Sequence, residues 1–166
     1  MRDHVPGQQA PDITVEVQRF RDWVAAGAPD ILNQGHGAEW ECNYPEWQDL
    51  WASIAVALRS QIDGDTSDLV LQVMAWDNET QLVADTLEDS PDHVRALLER
   101  ALEHPDPNVR WQFAHLLPRA IGAEARAPLA RLIEDPDDYV RRRAAMAADW
   151  LAATAAEVPP DGPDEA

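Results

Sequence analysis

The chain has 166 residues, of which 31 are acidic and 13 are basic, and its formal net charge is −18 at pH 7. A chain of this length can fold as one domain without a metal or a disulfide, and its one cysteine, Cys42, has no second cysteine to pair with. No apolar run approaches the ~20 residues of a membrane-spanning helix and no signal peptide is recognisable, so we expect a soluble, cytoplasmic protein.

The N-terminal part of the chain is predicted to contain an arm, a helix and a long loop. Residues 1–11 carry prolines and a glycine without apolar periodicity, which is typical of a flexible arm. A first helix is predicted from Asp12, as its N-cap, to Val24 or Ala26. Residues 28–44 then form a connection that is long for a compact helical domain, so this loop is a candidate functional element.

A second helix is predicted to begin at Pro45, because a proline loses no hydrogen bond in the first turn. It is expected to run toward Ile62, with Trp47 and Trp51 one turn apart on its apolar face. Residues 12–62 show no internal repeat, and we expect them to form a divergent cap on the rest of the fold.

The remaining residues predict further helical pairs and a tail. The helices are predicted over 67–76, 78–87, 90–104, 107–117, a stretch that begins at 122, and 138–156. Pro118 is expected to end or bend the helix that precedes it. Residues 157–166 are acidic, rich in proline and nearly without apolar side chains, which indicates a disordered tail.

A repeat organises the C-terminal half. The segment from Asp106 to Arg110 returns as Asp137 to Arg141, and the two Val-Arg pairs stand 31 residues apart. Apolar positions follow the same interval, so two consecutive helical pairs share one plan, and the pair before them is a degenerate copy. The single domain is therefore predicted to span residues 12–156.

These units resemble HEAT-like repeats of the bilin-lyase (PBS-lyase) type, over about residues 66–156. The resemblance implies an all-α fold, a right-handed α-solenoid of helical hairpins. Because stacked helical pairs make an extended surface suited to binding, we expect a protein-interaction module. The resemblance also implies that Asp106, Arg110, Asp137 and Arg141 form a structural ladder between neighbouring repeats. Helix-capping physics agrees with this role, because an aspartate at a helix N-terminus accepts backbone N–H groups and meets the positive end of the helix dipole.

The charge of the middle of the chain favours a basic protein partner. Residues 30–92 contain fourteen acidic residues and a single arginine, Arg59. Such a surface repels nucleic acid and attracts cationic protein surfaces, although high charge also serves plain solubility. An immunity or antitoxin-like inhibitor is one form of this hypothesis. The predicted partner-binding residues are His36, Glu39, Trp40, Glu41, Tyr44, Glu46, Asp65, Asp68, Asp77 and Glu79.

The sequence also allows other interpretations, namely a metal site, a purely structural role for the loop aromatics and an enzyme. His36 and Cys42 lack a second pair of ligands, so no metal site is predicted. Trp40 and Tyr44 have a plainer interpretation as residues that close the core beside the second helix. A HEAT-like enzyme, either DNA glycosylase-like or bilin lyase-like, is the alternative function, but the net charge opposes DNA binding. No catalytic constellation and no cofactor are predicted, and the oligomeric state is left open.

Overall fold

A computed structural model describes residues 10–27, 44–78 and 80–157, and within these ranges the chain forms helices and no strand. The α-helices are α1 (Ile13–Ala25), α2 (Trp47–Ala57), α3 (Gly64–Trp76), α4 (Leu82–Glu88), α5 (Pro91–Leu102), α6 (Pro107–Ile121), α7 (Arg126–Ile133) and α8 (Asp138–Glu157), with a 3-10 turn at Gly122–Ala125 before α7. The predicted all-α class is confirmed. The predicted arm and tail, and the long loop before Tyr44, lie almost entirely outside the described residues.

The first and third helices begin at aspartate caps. Asp12 accepts the backbone N–H of Thr14 at 2.9 Å and starts α1, so the predicted first helix is confirmed. Asp63 accepts the N–H of Thr66 at 2.8 Å. This cap starts α3 at Gly64, three residues before the predicted beginning.

Three other predicted boundaries were wrong. Pro45 lies in a turn, and α2 begins two residues later. The helix predicted from Asn78 begins at Leu82, because Gln81 has a left-handed φ of 56° that a continuous helix excludes. Pro118 lies inside α6, which continues to Ile121. A proline there costs one backbone hydrogen bond, but the buried helix tolerates this loss.

The helices stack as hairpins in two layers. In the repeat region, α3 contacts α5 in one layer, while α4 contacts α6 and α6 contacts α8 in the other. The central helix α6 also contacts α3, α5 and α7, and its Phe113, Leu116 and Leu117 are fully buried. The N-terminal helices continue both layers, because α1 packs on α3 and α2 packs on α4. This arrangement is a solenoid-like helical stack.

Aromatic side chains hold the N-terminal helices in place. The ring of Phe20 stacks on Trp76 of α3, with centroids 4.1 Å apart and an interplanar angle of 18°. It also contacts Trp23, Tyr44 and Trp47, at centroid distances of 5.8, 4.9 and 5.5 Å. Phe20 is fully buried. The residues on either side of the long loop are therefore joined through one aromatic cluster.

The described helices include none with the length and apolar character needed to cross a lipid bilayer.

Candidate functional site

A buried arginine joins the last two repeats. The Arg110 guanidinium donates to both carboxylate oxygens of Asp135, from Nε at 2.7 Å and from Nη2 at 3.0 Å. Its Nη1 donates to the backbone carbonyls of His104 and Pro105, at 2.6 and 3.2 Å. Both charged side chains are almost wholly buried. Because the two charges satisfy each other and the backbone, this contact fixes how the two hairpins stack.

The same contacts recur one repeat later with one change. Arg141 donates to the carbonyls of Asp135 and Pro136, at 2.7 and 3.0 Å, as Arg110 does 31 residues earlier. Its carboxylate partner, however, is Asp138 of its own helix. The described residues contain no later repeat that would place an acid beside it. We call each charged contact of the ladder a rung. At this end of the stack the rung of Arg141 therefore lies within a single repeat.

The predicted ladder residues have different roles from one another. Asp106 accepts the N–H of Asn108 and Asp137 accepts the N–H of Tyr139, at 2.8 and 2.9 Å, so both cap helices. The acid that meets Arg110 is Asp135, which was not among the predicted ladder residues. The corresponding residue one repeat earlier is His104, whose Nδ1 accepts the N–H of Asp106 at 3.1 Å. Burial, followed by the charge of Arg110, lowers the pKa of His104, which suits a neutral acceptor.

Exposed ion pairs form a second ladder along the first helices of the hairpins. Arg100 of α5 meets Asp68 of α3 at 2.6 Å, and Arg131 of α7 meets Glu99 of α5 at 2.9 Å. Each acid and each arginine recurs after 31 residues. The shared interval shows that α3 stacks on α5 in the same register as α5 stacks on α7. The degenerate pair α3 and α4 therefore belongs to the same stack.

The second helices, α4, α6 and α8, carry side chains of different character at equivalent repeat positions. At one repeat position the residues are Asp85, His115 and Met146, and the last two stand 31 residues apart. At the neighbouring position Arg119 of α6 gives way to Trp150 of α8 after the same interval. At these positions the side chains are therefore acidic on α4, polar or cationic on α6 and apolar on α8.

A pocket of about 280 Å³ opens between α6 and α8. Met146 and Trp150 beside it are 63% and 49% exposed, which is unusual for large apolar side chains in the described part of the chain. The lining residues are His115, Pro118, Arg119, Arg143, Met146, Ala147 and Trp150. The pocket therefore combines apolar side chains, among them Met146 and Trp150, with the cationic side chains of Arg119 and Arg143.

Arg143 is held at the edge of this pocket by aromatic rings. Its guanidinium lies 4.9 Å from the ring centroid of Trp111 and 5.8 Å from that of Tyr139. Trp111 is buried and packs edge-on against Tyr139, with centroids 5.5 Å apart. Burial, followed by the charges of Arg119 and Arg143, lowers the pKa of His115 in the same pocket. The charges of Glu88 and Asp85 act on His115 in the opposite direction, so charges of both signs flank the pocket.

Comparison with known families identifies the C-terminal repeats. The family model of HEAT repeats matches residues 94–160. This part of the chain is similar to HEAT repeats. The predicted resemblance is confirmed over that range, while the N-terminal part is unmatched. No curated protein and no solved structure gives a significant match to the chain. Outside the matched range, the ion pairs show that α3 continues the same helical stack.

Half of the predicted partner-binding residues lie outside the described parts of the chain. His36, Glu39, Trp40, Glu41 and Glu79 are outside the described residues.

Two of the described residues in that set are buried, which corrects their predicted role as surface contacts. Tyr44 is 5% exposed within the aromatic cluster, and burial, followed by the charge of Glu46, raises its pKa to about 12. Asp77 is 3% exposed and accepts the N–H of Val83 at 2.9 Å. Burial raises the pKa of Asp77 to about 6. Both residues serve the packing beside the HEAT repeats.

The acidic middle segment is partly neutralised by arginines from later HEAT repeats. Asp68 meets Arg100, as described, and Glu88 of α4 meets Arg119 of α6 at 2.6 Å. Asp65 and Glu46 are exposed, as predicted partner contacts must be. The exposed acids of this segment that enter no ion pair with a described arginine are Glu46, Asp49, Asp63, Asp65, Asp85 and Asp89. The acidic surface is thus smaller than the sequence predicts, and it extends onto α4.

The described residues contain no group of three or more His, Cys, Asp or Glu side chains that could hold a metal ion.

The pocket and Asp135 were both missed from sequence. Superposing the repeats at 31 residues places Trp150 and Met146 at the positions of Arg119 and His115, and this apolar replacement was available from the sequence. The pairing of Asp135 with Arg110 was not, because it depends on how one hairpin sits on the next.

Proposed function

We propose that this protein is a HEAT-repeat interaction module whose partner presents basic residues to the acidic N-terminal half of the stack. The observation that carries the proposal is the set of exposed acids, Asp65, Asp85 and Asp89 among them, that meet no described arginine. HEAT-repeat stacks offer extended surfaces that are suited to binding proteins.

The distribution of arginine supports the proposed sign of the partner's charge. Arginines of the later repeats, such as Arg100, Arg119 and Arg131, are engaged by neighbouring carboxylates within the fold. Residues 30–92 have only Arg59 to offset fourteen acids. The excess negative charge near α3 and α4 therefore attracts a cationic surface over about 10 Å at 0.1 M salt.

A specific form of the proposal is an immunity- or antitoxin-like inhibitor that covers a cationic site, such as that of a nuclease. Inhibition of this kind depends on rapid capture of the target. Charge complementarity raises association rates from about 10⁵–10⁶ to as much as about 10⁸–10⁹ M⁻¹s⁻¹ at low salt. The acidic surface suits that requirement.

The test is capture of native proteins on the immobilised chain, with identification by mass spectrometry and rate measurements on the captured partner. We expect a basic partner whose association slows steeply between about 0.1 and 1 M salt, as the Debye length falls from about 10 to about 3 Å. The double variant Asp85→Asn, Asp89→Asn should slow association at low salt.

A matched control removes the same amount of charge elsewhere. Glu134→Gln with Asp149→Asn also neutralises two exposed acids, but these lie on the C-terminal repeats. A partner that is acidic, association that is insensitive to salt, or equal slowing by both double variants would each contradict the proposal.

A further inference from the structure

We propose that the pocket between α6 and α8 is a second binding site, which takes an extended acidic protein segment anchored by one large apolar side chain. This site uses residues other than those of the proposed function and selects the opposite charge. The two proposals can therefore fail independently.

The apolar half of the argument comes from the repeat plan. Met146 and Trp150 occupy the positions that His115 and Arg119 occupy one repeat earlier, so the last repeat exposes two large apolar side chains at polar positions. Tryptophan and methionine are enriched where proteins bind one another, and tryptophan is prominent among residues that dominate binding energy. The pocket of about 280 Å³ suits a single bulky side chain better than a drug-sized ligand.

The charged half of the argument comes from Arg143. The ion pairs of the described residues do not include Arg143, so its guanidinium is available to a carboxylate. Trp111 and Tyr139 hold it beside the pocket, which reduces the entropy lost when it binds. A planar guanidinium in a fixed position favours two-pronged binding of a carboxylate. Arg119 adds positive charge at the pocket, although Glu88 already pairs with it.

The acids beside the pocket favour a protein segment over a nucleic acid. A polyanion that extended from the pocket toward α4 would approach Glu88 and Asp85, where like charges repel it. The chain's net charge of −18 opposes the same ligand at longer range. A segment with its carboxylates concentrated beside one apolar side chain meets Arg143 and avoids α4.

The test is selection from a displayed library of random twelve-residue peptides on the full-length immobilised protein. We expect enriched peptides that combine aspartate or glutamate with a neighbouring aromatic or large aliphatic residue. Their affinity, measured by fluorescence anisotropy, should fall about tenfold or more in Arg143→Gln and in Trp150→Ala, since each removes an interaction worth about 1.5 kcal/mol or more.

Two variants control for loss of charge and loss of exposed apolar surface. Arg126→Gln removes an exposed arginine that enters no described ion pair, and Val15→Ala trims an apolar side chain that is exposed on α1. Both should leave peptide affinity unchanged. Trp150 is half exposed, so Trp150→Ala should stay folded by circular dichroism even if Arg143→Gln disturbs the packing of Trp111.

Three results would overturn the inference. These are failure to enrich any acidic peptide, enrichment that survives Trp150→Ala, and binding of a single-stranded oligonucleotide that Trp150→Ala abolishes. Enrichment of basic peptides that bind Trp150→Ala normally, but not Asp85→Asn with Asp89→Asn, would overturn this inference while supporting the proposed function.

Discussion

The two ends of the stack are held together by different chemistry. At the N-terminal end, α1 is fastened to α3 by stacked aromatic rings around Phe20. At the C-terminal end, the α5–α6 hairpin is fastened to the α7–α8 hairpin by the buried rung between Arg110 and Asp135. Neighbouring hairpins of one architecture can therefore be joined either by complementary shape and apolar burial or by a directional charged contact. Apolar contacts tolerate variation in sequence, whereas a rung needs both partners in register.

The largest expected effect comes from removing the aromatic fastening. Phe20→Ala should cost about 5 kcal/mol of free energy of unfolding, at the upper end for such changes, because aromatic rings surround the resulting cavity. Since each hairpin contacts mainly its neighbours, the loss should appear as local opening of α1 and α2. Hydrogen exchange would show amides of α1 losing protection while those of α8 keep it.

The control for this prediction is Phe113→Ala, which empties a fully buried position on the central helix α6. Loss of the Phe113 ring should lower the hydrogen-exchange protection of amides throughout the stack. Equal effects of the two substitutions on α8 would show that the N-terminal helices are not separately fastened.

The next largest effect should come from the buried rung. Arg110→Ala leaves the buried carboxylate of Asp135 without its partner, so we expect a loss of about 4 kcal/mol in urea unfolding. The matched variant is Arg141→Ala at the same repeat position. There the ion-pair partner Asp138 is exposed, and the expected loss is about 1 kcal/mol. Comparable losses in the two variants would mean that the inter-repeat charge contact adds little.

A pH-dependent effect separates Asp77, the buried acid at the end of α3, from the exposed helix cap Asp63. The pKa of Asp77 is raised to about 6 in the folded protein, above its ordinary value of 3.8, so the folded state binds its proton more tightly than the unfolded state does. Its contribution to stability is therefore lost as pH rises from about 4 to about 6. Relative to Asp77→Asn, the wild type should lose up to about 3 kcal/mol of unfolding free energy across this window.

Asp63 provides a control of opposite sign for that measurement. The N–H of Thr66 donates to the Asp63 carboxylate and lowers its pKa, so its contribution is present above pH 4 and lost as pH falls through the lowered value. The wild type should therefore gain stability relative to Asp63→Asn as pH rises through this range. If the difference in unfolding free energy between the wild type and Asp77→Asn did not change with pH, burial would not raise the pKa of the Asp77 carboxyl group.

The smallest effect should come from the exposed ladder. A double-mutant cycle on Asp68 and Arg100 should give a coupling energy of about 0.5 kcal/mol that vanishes at 1 M salt, because both side chains are exposed. The cycle on Glu99 and Arg131 should give a value of similar size, since the two residues recur at the same repeat positions and Arg131 also lies 3.7 Å from Glu103. A coupling above about 2 kcal/mol at either rung would place the exposed ladder alongside the buried one.

Local patterns predicted much of the fold from sequence. The cap at Asp12 and the apolar faces of the helices follow from rules that act within a few residues. The 31-residue interval can be read directly from the sequence as a repeat. The start of α4 was missed because the left-handed turn at Gln81 has no glycine or asparagine to mark it. Pro118 was expected to end or bend its helix, but tertiary packing carries α6 past it.

The candidate sites were harder to predict because they depend on contacts between repeats. The acidic charge of residues 30–92 is plain in the sequence, but the arginines that neutralise Asp68 and Glu88 come from the next repeat. Asp135, Asp137 and Asp138 look interchangeable in sequence, yet only the stacked geometry brings Asp135 to Arg110. Burial of Asp77 follows from the turn between α3 and α4, where the N–H of Val83 donates to its carboxylate.

The position of Arg141 offers a route to building longer arrays. It retains both carbonyl contacts of Arg110, and only a carboxylate from a following unit would be needed to complete an inter-repeat rung there. A grafted consensus repeat with aspartate 31 residues after Asp135 would supply that carboxylate. Arg141 could then exchange Asp138 for the new partner, which makes the final helix a natural junction for engineered extension.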